Sequence, residues 1–166
     1  DKAMDMIVAV DENWRIGING GMLTSIPEDM KFFRTMTKDS VVVMGRKTLE
    51  SFPGGKPLKN RVNIVLTKNS AYNPEGVVTV GDFDRLFDEL KKYPDKKVFC
   101  VGGDSIYHAM LPYCKKAYVT KIYKNLGEAD SFFPNLDENP RWQLTEQSET
   151  KQWEGMDFAF CTYEKI

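Results

Sequence analysis

The chain has 166 residues, 23 of them Lys or Arg and 24 Asp or Glu, for a formal net charge of −1. That length buries about two-thirds of the surface an unfolded chain exposes, and the near-cancelled charge argues against nucleic acid or an anionic membrane as the main partner. No apolar run approaches the roughly twenty residues of a membrane span, and the cysteines, Cys100, Cys114 and Cys161, are odd in number, which favours buried thiols in a reducing compartment over a disulfide framework.

No basic-then-apolar leader opens the chain and no Asn-x-Ser/Thr acceptor occurs, so a cytoplasmic protein is expected, with residues 1–3 read as a remnant ahead of a natural start at Met4. Apolar runs alternate with stretches of helical period, the pattern of parallel strands joined by crossover helices. Residues 6–10, Met-Ile-Val-Ala-Val, read as a buried strand. Residues 11–25 hold three glycines, two of them the adjacent pair Gly20-Gly21, and read as a long loop of the kind that often carries function.

Ser25-Ile26-Pro27-Glu28 has capping-box spacing with proline in the first turn, so a helix should start there and run to about Thr37 with Met30 and Phe33 on one face. Val41-Val42-Val43-Met44 is a second buried strand, Gly45 a break, and residues 46–52 a short helix ending before Pro53-Gly54-Gly55. Residues 61–67 and 77–80 read as strands. Asp82 then caps a helix whose Phe83, Leu86, Phe87 and Leu90 recur at i, i+3, i+4 and i+7, with Pro94 beyond it. Residues 98–101 form another buried strand, Gly102-Gly103 a sharp turn, residues 106–111 a helix ended by Pro112, and residues 117–122 a strand. The tail changes character, since residues 142–149 and 156–165 are extended and separated by Gly155 and its neighbours, which reads as an antiparallel hairpin at the sheet edge. No linker or repeat interrupts the pattern, so one domain over residues 1–166 is expected.

Two segments have the order strand, tight turn, helix start, which presents backbone N–H groups to a phosphate. They are Val43-Met44-Gly45-Arg46-Lys47-Thr48 and Val101-Gly102-Gly103-Asp104-Ser105. In the first, Arg46 and Lys47 offer charge-assisted hydrogen bonds and Thr48 a hydroxyl. On spacing alone the same residues are equally a helix start with solvated basic side chains. Neither a Walker loop nor a Gly-x-Gly-x-x-Gly string occurs.

Asp29 lies in the first helical turn beside Met30 and one turn before Phe33. It is either an acid favoured by the helix dipole or a buried carboxylate able to bind a heterocycle with paired N–H donors, and spacing leaves both open. Arg61 is either a planar fork for a carboxylate or an exposed arginine at a strand end. His108 is the only histidine, so no metal-ligand set forms around it, and it reads as structural or solvent-facing. Trp14, Trp142 and Trp153 are scattered without a basic stripe and read as packing residues.

Taken together these strings resemble the dihydrofolate reductase family, from Met6 to the C-terminal hairpin. The pieces that carry the resemblance are Ile7-Val8-Ala9, Ile16-Gly17, Ile26-Pro27-Glu28-Asp29-Met30-Lys31-Phe32-Phe33-Arg34, Val43-Met44-Gly45-Arg46-Lys47-Thr48 and Pro57-Leu58-Lys59-Asn60-Arg61. Asn63-Ile64-Val65-Leu66-Thr67, Val101-Gly102-Gly103 with Ile106-Tyr107, Tyr118-Val119-Thr120 and Asp130-Ser131-Phe132-Phe133-Pro134 follow in order.

The resemblance implies an α/β fold with a mostly parallel eight-stranded central sheet, an antiparallel C-terminal edge strand and about four flanking helices, with NADPH and folate in adjoining clefts. It implies reduction of 7,8-dihydrofolate to tetrahydrofolate, with hydride passing to pterin C6 and a proton reaching N5 through water. Asp29, supported by Thr120, would hold the pterin. Ile7, Val8, Met30, Phe33, Phe52, Leu58 and Val101 would wall the folate pocket, and Arg61 would pair with a substrate carboxylate. Arg46, Thr67 and Lys68 would hold the 2′-phosphate that separates NADPH from NADH. Ala9, Ile16, Gly17, Gly45, Lys47, Thr48, Leu66, Gly102, Gly103, Asp104, Ser105, Ile106 and Tyr107 would line the rest of the cofactor groove, with a cis peptide between Gly102 and Gly103. Dihydrofolate and antifolate-type small molecules follow as partners, and a monomer without a metal is expected.

Two departures accompany the resemblance. Many members have Leu-Pro-Trp where this chain has Leu23-Thr24-Ser25, so the indole that packs the mobile loop is missing, and Gly20-Gly21 adds freedom to the same loop. Asp104 stands where a third glycine is common, placing a negative charge near the cofactor groove. Two other readings remain: an NADPH-dependent pyrimidine reductase of riboflavin synthesis on the same fold, and an NADPH-binding module without turnover.

Overall fold

The structure, a computed structural model, describes residues 3–18 and 21–166. Asp1 and Lys2 of the expected remnant, and Gly20 of the glycine pair, lie outside the described residues. In chain order the elements are β1 (Met4–Val10), β2 (Arg15–Ile18), β3 (Gly21–Met22), α1 (Pro27–Thr37), β4 (Val41–Gly45), α2 (Arg46–Ser51), β5 (Val62–Leu66), β6 (Val77–Val80), α3 (Phe83–Leu90), β7 (Val98–Cys100), α4 (Asp104–Met110) and β8 (Cys114–Ile122). Then come β9 (Ser131–Phe132), β10 (Trp142–Gln147), β11 (Lys151–Trp153) and β12 (Met156–Lys165), with 3-10 turns at Pro53–Gly55, Leu111–Tyr113 and Leu136–Glu138.

The main sheet has the order β10-β12-β8-β1-β7-β4-β5-β6, with β11 also paired to β12. From β8 to β6 every pairing is parallel, while β12 runs antiparallel to β8, β10 and β11. Val41, Val42, Val43 and Met44 are each fully buried because both faces of β4 are covered, the reason that strand reads as an unbroken apolar run. Val41 and Val43 pack with Val98, Cys100, Leu86 and Met110 on one face. Val42 and Met44 pack with Leu49 and Val65 on the other.

The connections place the cleft. The chain moves outward through β1, β4, β5 and β6, returns to insert β7 between β1 and β4, and then adds β8 on the far side of β1. Such a reversal opens a crevice beyond the carboxyl ends of the strands. Helix α1 fits a cleft wall for a compositional reason: its only buried side chains are Asp29 and Thr37, while Met30 and Phe33 stay half-buried.

Several local expectations are corrected. The capping box does not form, because the residue preceding α1 is Ile26, which buries itself against Ile122, Met156 and Phe158, and Pro27 opens the helix without a side-chain cap. The loop over residues 11–25 contains β2 and β3, which join β9 in a small antiparallel sheet. Strand β11 adds a short piece to the C-terminal hairpin. Elsewhere the chemistry acts as read: Asp82 Oδ1 accepts the Arg85 N–H at 2.8 Å at the start of α3, and all three cysteines are buried free thiols. No helix among the described residues is long and apolar enough to cross a membrane.

Candidate active site

Adjacent parallel strands β4 and β7 deliver the two glycine turns side by side. The Gly45 N–H donates to the Gly102 carbonyl at 2.8 Å, and a Cβ on Gly45 would stand 3.1 Å from Ile106 Cγ1, so the starts of α2 and α4 approach more closely than a side chain at position 45 would comfortably allow. Gly102 has φ +115°, a conformation other residues rarely adopt, and its peptide bond to Gly103 is cis. A Cβ on Gly103 would lie 3.4 Å from Thr48 Oγ1, which links the second turn to the first turn of α2. Around this corner Lys47, Ser105 and Lys68 are exposed, Thr48, Leu66 and Thr67 half-buried, and Ile106 and Tyr107 buried. Arg46 projects from the start of α2, its Nε donating to Glu50 Oε2 at 3.1 Å and its guanidinium carbon 4.3 Å from the centre of the Tyr72 ring.

Asp29 is buried at 9 % exposure, and the Thr120 hydroxyl donates to its Oδ1 at 2.6 Å. Parallel pairing sets Thr120 opposite Ala9, so the acid of α1 is tied to the carboxyl-end half of the β1–β8 ladder. Burial pushes the Asp29 carboxyl above its ordinary range, and the Thr120 hydrogen bond opposes that rise. Tyr107 crosses from α4 to donate to the Ile7 carbonyl at 2.7 Å. Val8 and Ala9, farther along β1, are half-buried, as are Met30 and Phe33.

Phe52, Leu58 and Val101 pack half-buried on the cluster of Val42, Met44, Leu49 and Val65. Beside them Arg61 keeps its Nε buried with no hydrogen-bond partner, its guanidinium carbon 6.0 Å from the centre of the Phe33 ring. Burial, with Arg34 nearby, lowers its pKa. An orphaned buried donor on a planar fork is completed by an incoming anion, and a carboxylate matches it in shape. Sequence reading missed the residue that arranges this corner. Asn63, 2 % exposed, accepts the Leu58 N–H at 3.0 Å and donates to the carbonyls of Leu58 at 2.9 Å and Arg61 at 3.2 Å. Its signal was one amide inside the apolar run Val62-Asn63-Ile64-Val65-Leu66.

A second missed residue, Asp11, ties down the base of the loop between β1 and α1. It is 1 % exposed and accepts the N–H groups of Asn13 at 2.9 Å, Arg15 at 3.0 Å and Leu126 at 3.1 Å. Strand β2 carries Ile16, half-buried, and Gly17, whose carbonyl accepts the Asp130 N–H at 3.0 Å. The Asp104 carboxylate accepts the Phe132 N–H at 3.0 Å through Oδ2, while Oδ1 lies 3.1 Å from His108 Nδ1. His108 is thus exposed but engaged, and the charge that sequence reading set against a cofactor has a backbone and an imidazole partner.

Fold and site together define an open, mostly parallel α/β protein presenting a buried acid and two glycine turns at the carboxyl ends of its central strands. The model of the dihydrofolate reductase family matches residues 3–165. The dihydrofolate reductase of Heliothis virescens is 34 % identical over 182 aligned residues, covering 98 % of this chain and 97 % of its own. That of Bacillus subtilis (strain 168) is 34 % identical over 164, covering 98 % and 94 %. Among solved structures, dihydrofolate reductase from Enterococcus faecalis complexed with NADP(H) and RAB-propyl superposes with a TM-score of 0.87 at 30 % identity, covering 98 % of this chain and 96 % of that one. The chain belongs to the dihydrofolate reductase family.

Proposed function

We propose that this chain reduces 7,8-dihydrofolate to 5,6,7,8-tetrahydrofolate with NADPH, using Asp29 as the pocket acid. The observation that carries the residue assignment is the buried Asp29–Thr120 pair, set toward the same carboxyl ends of the strands as the paired glycine turns. The residues suit the dinucleotide: Arg46, Lys47, Lys68, Thr48 and Thr67 offer donors to phosphates, and the bare Cα of Gly103 leaves the space between Thr48 and the start of α4 that a Cβ would narrow. NADPH, when bound, supplies the hydride for pterin C6.

The protein's own part is to position and to polarise. Thr120 fixes Asp29 Oδ1, and the carboxylate receives the paired N–H donors of the pterin in a site poor in water. Its negative charge there favours protonation of the ring at N5, with water carrying the proton. Arg61 takes a substrate carboxylate, while Ile7, Val8, Met30, Phe33, Phe52, Leu58 and Val101 flank the ring and its tail. Ala9, Ile16, Gly17, Gly45, Leu66, Gly102, Asp104, Ser105, Ile106 and Tyr107 complete the dinucleotide groove. Three buried free thiols suit a reducing cytoplasm, and the chain is read as a one-domain monomer.

The test is steady-state NADPH oxidation with dihydrofolate, for the wild type and for Asp29→Asn. Dihydrofolate-dependent turnover is expected. The variant should keep its fold and NADPH binding but lose about 100-fold or more in turnover, most at neutral and higher pH, where solvent no longer protonates the substrate. Near-native turnover of Asp29→Asn across pH would remove the carboxylate from its role.

A further inference from the structure

Arg46 is a long side chain that arrives already held in two ways. Its Nε donates to Glu50 Oε2 at 3.1 Å, and its guanidinium carbon sits 4.3 Å from the centre of the Tyr72 ring. The ring face restricts where the guanidinium can lie, and the Nε bond restricts its rotation. With both fixed, the terminal nitrogens form a fork of defined direction.

Tyr72 is itself well placed to do this. It lies on the connection between β5 and β6 and packs half-buried against the cluster of Val42, Met44, Leu49 and Val65. The same connection is laced by short-range hydrogen bonds: the Asn69 N–H donates to Thr67 Oγ1 at 3.2 Å, the Ala71 N–H to Asn69 Oδ1 at 3.0 Å, and the Tyr72 N–H to the Asn69 carbonyl at 3.1 Å. One segment therefore carries Thr67, Lys68 and the ring that orders Arg46.

We propose that Tyr72 is a specificity-determining positioning residue, a platform that holds the Arg46 fork toward the 2′-phosphate and so sets the preference for NADPH over NADH. The inference rests on the reading of Arg46 as the phosphate reader. An unordered arginine loses rotamer freedom at the moment of binding, whereas one already stacked and bonded does not. That gain goes only to a ligand carrying the phosphate. NADH, which has none, draws nothing from the platform.

The experiment measures KM for NADPH and for NADH with dihydrofolate in the wild type, Tyr72→Leu, Tyr72→Met, Tyr72→Phe and Arg46→Ala, with Tm recorded for each. Tyr72→Leu and Tyr72→Met should raise KM for NADPH roughly tenfold relative to KM for NADH, and Tyr72→Phe, which keeps the ring and drops the hydroxyl, should restore the wild-type ratio. If Tyr72→Leu and Tyr72→Met leave the ratio unchanged or weaken both cofactors alike while Arg46→Ala lowers NADPH preference, the platform is wrong and the phosphate assignment stands. If Arg46→Ala itself leaves the ratio unchanged, the phosphate assignment falls and the platform with it.

Discussion

Asp29 works under two opposed demands. The proposed pterin contact calls for an ionised carboxylate, yet burial raises its pKa above the ordinary 3.8, with Thr120 only partly offsetting the rise. A carboxyl whose folded pKa is raised binds its proton more tightly in the folded state, so its contribution to stability is fully present below 3.8 and is lost as pH climbs through the higher folded value. At neutral pH the charge therefore costs stability. Asp29→Asn keeps an acceptor for the Thr120 hydroxyl and removes the charge, so its Tm should exceed the wild-type value by a few degrees at pH 7. Thermal melts across pH should find that margin shrinking as pH falls toward 3.8; a margin that is absent at pH 7, or constant with pH, would mean that the charge is not strained in the fold. The amino-acid order located Asp29 and Arg61 but left the role of each open, since neither burial nor an orphaned Nε has a local signature. Asn63 and Asp11 were missed for a related reason: each works through backbone groups that only the folded chain brings near.

At the scale of elements, the long strands and helices were legible where burial on a face imposes a period, as in β4 and α3. They were illegible where an element is two to four residues long and held by its neighbours, as in β2, β3, β9 and β11. The start of α1 was placed one residue early because tertiary burial of Ile26 overrode a local capping pattern. The tie from Asp104 to β9 belongs to this scale as well. One carboxylate joins the start of α4 to β9, β9 pairs with β2, and β2 carries Ile16 and Gly17. Asp104→Ala should speed hydrogen exchange at the Phe132 amide by about tenfold, with a smaller rise at the paired β2 residues. Asp104→Asn, whose amide oxygen still accepts, should stay near wild type. Equal exchange in all three proteins would mean that β9 is held without the carboxylate.

For the molecule as a whole, the parallel sheet could be read from the sequence because strands covered on both faces leave unbroken apolar runs. Strand order could not be read at all. The insertion of β7 between β1 and β4 opens the cleft, and no residue in β7 announces it. The same holds for β12, which pairs Phe160 with Thr120 and stacks Phe160 on Phe32 of α1 at 4.6 Å between ring centres. The outer support of the acid-bearing helix thus comes from Phe160, 131 positions after Asp29 and far outside any sequence window.

Strand β12 lies between β8 and β10 yet follows both in sequence, so β10 and β11 have nowhere to dock until it emerges. A nascent chain whose β12 has not yet emerged presents a bare β8 edge, and the pair formed by Thr120 and Asp29 has nothing stacked behind Phe32. NADPH and dihydrofolate added to stalled nascent chains should then protect from protease those in which β12 has emerged, and not those that end before Met156. Protection of the chains that end before Met156 would place assembly of the site ahead of β12.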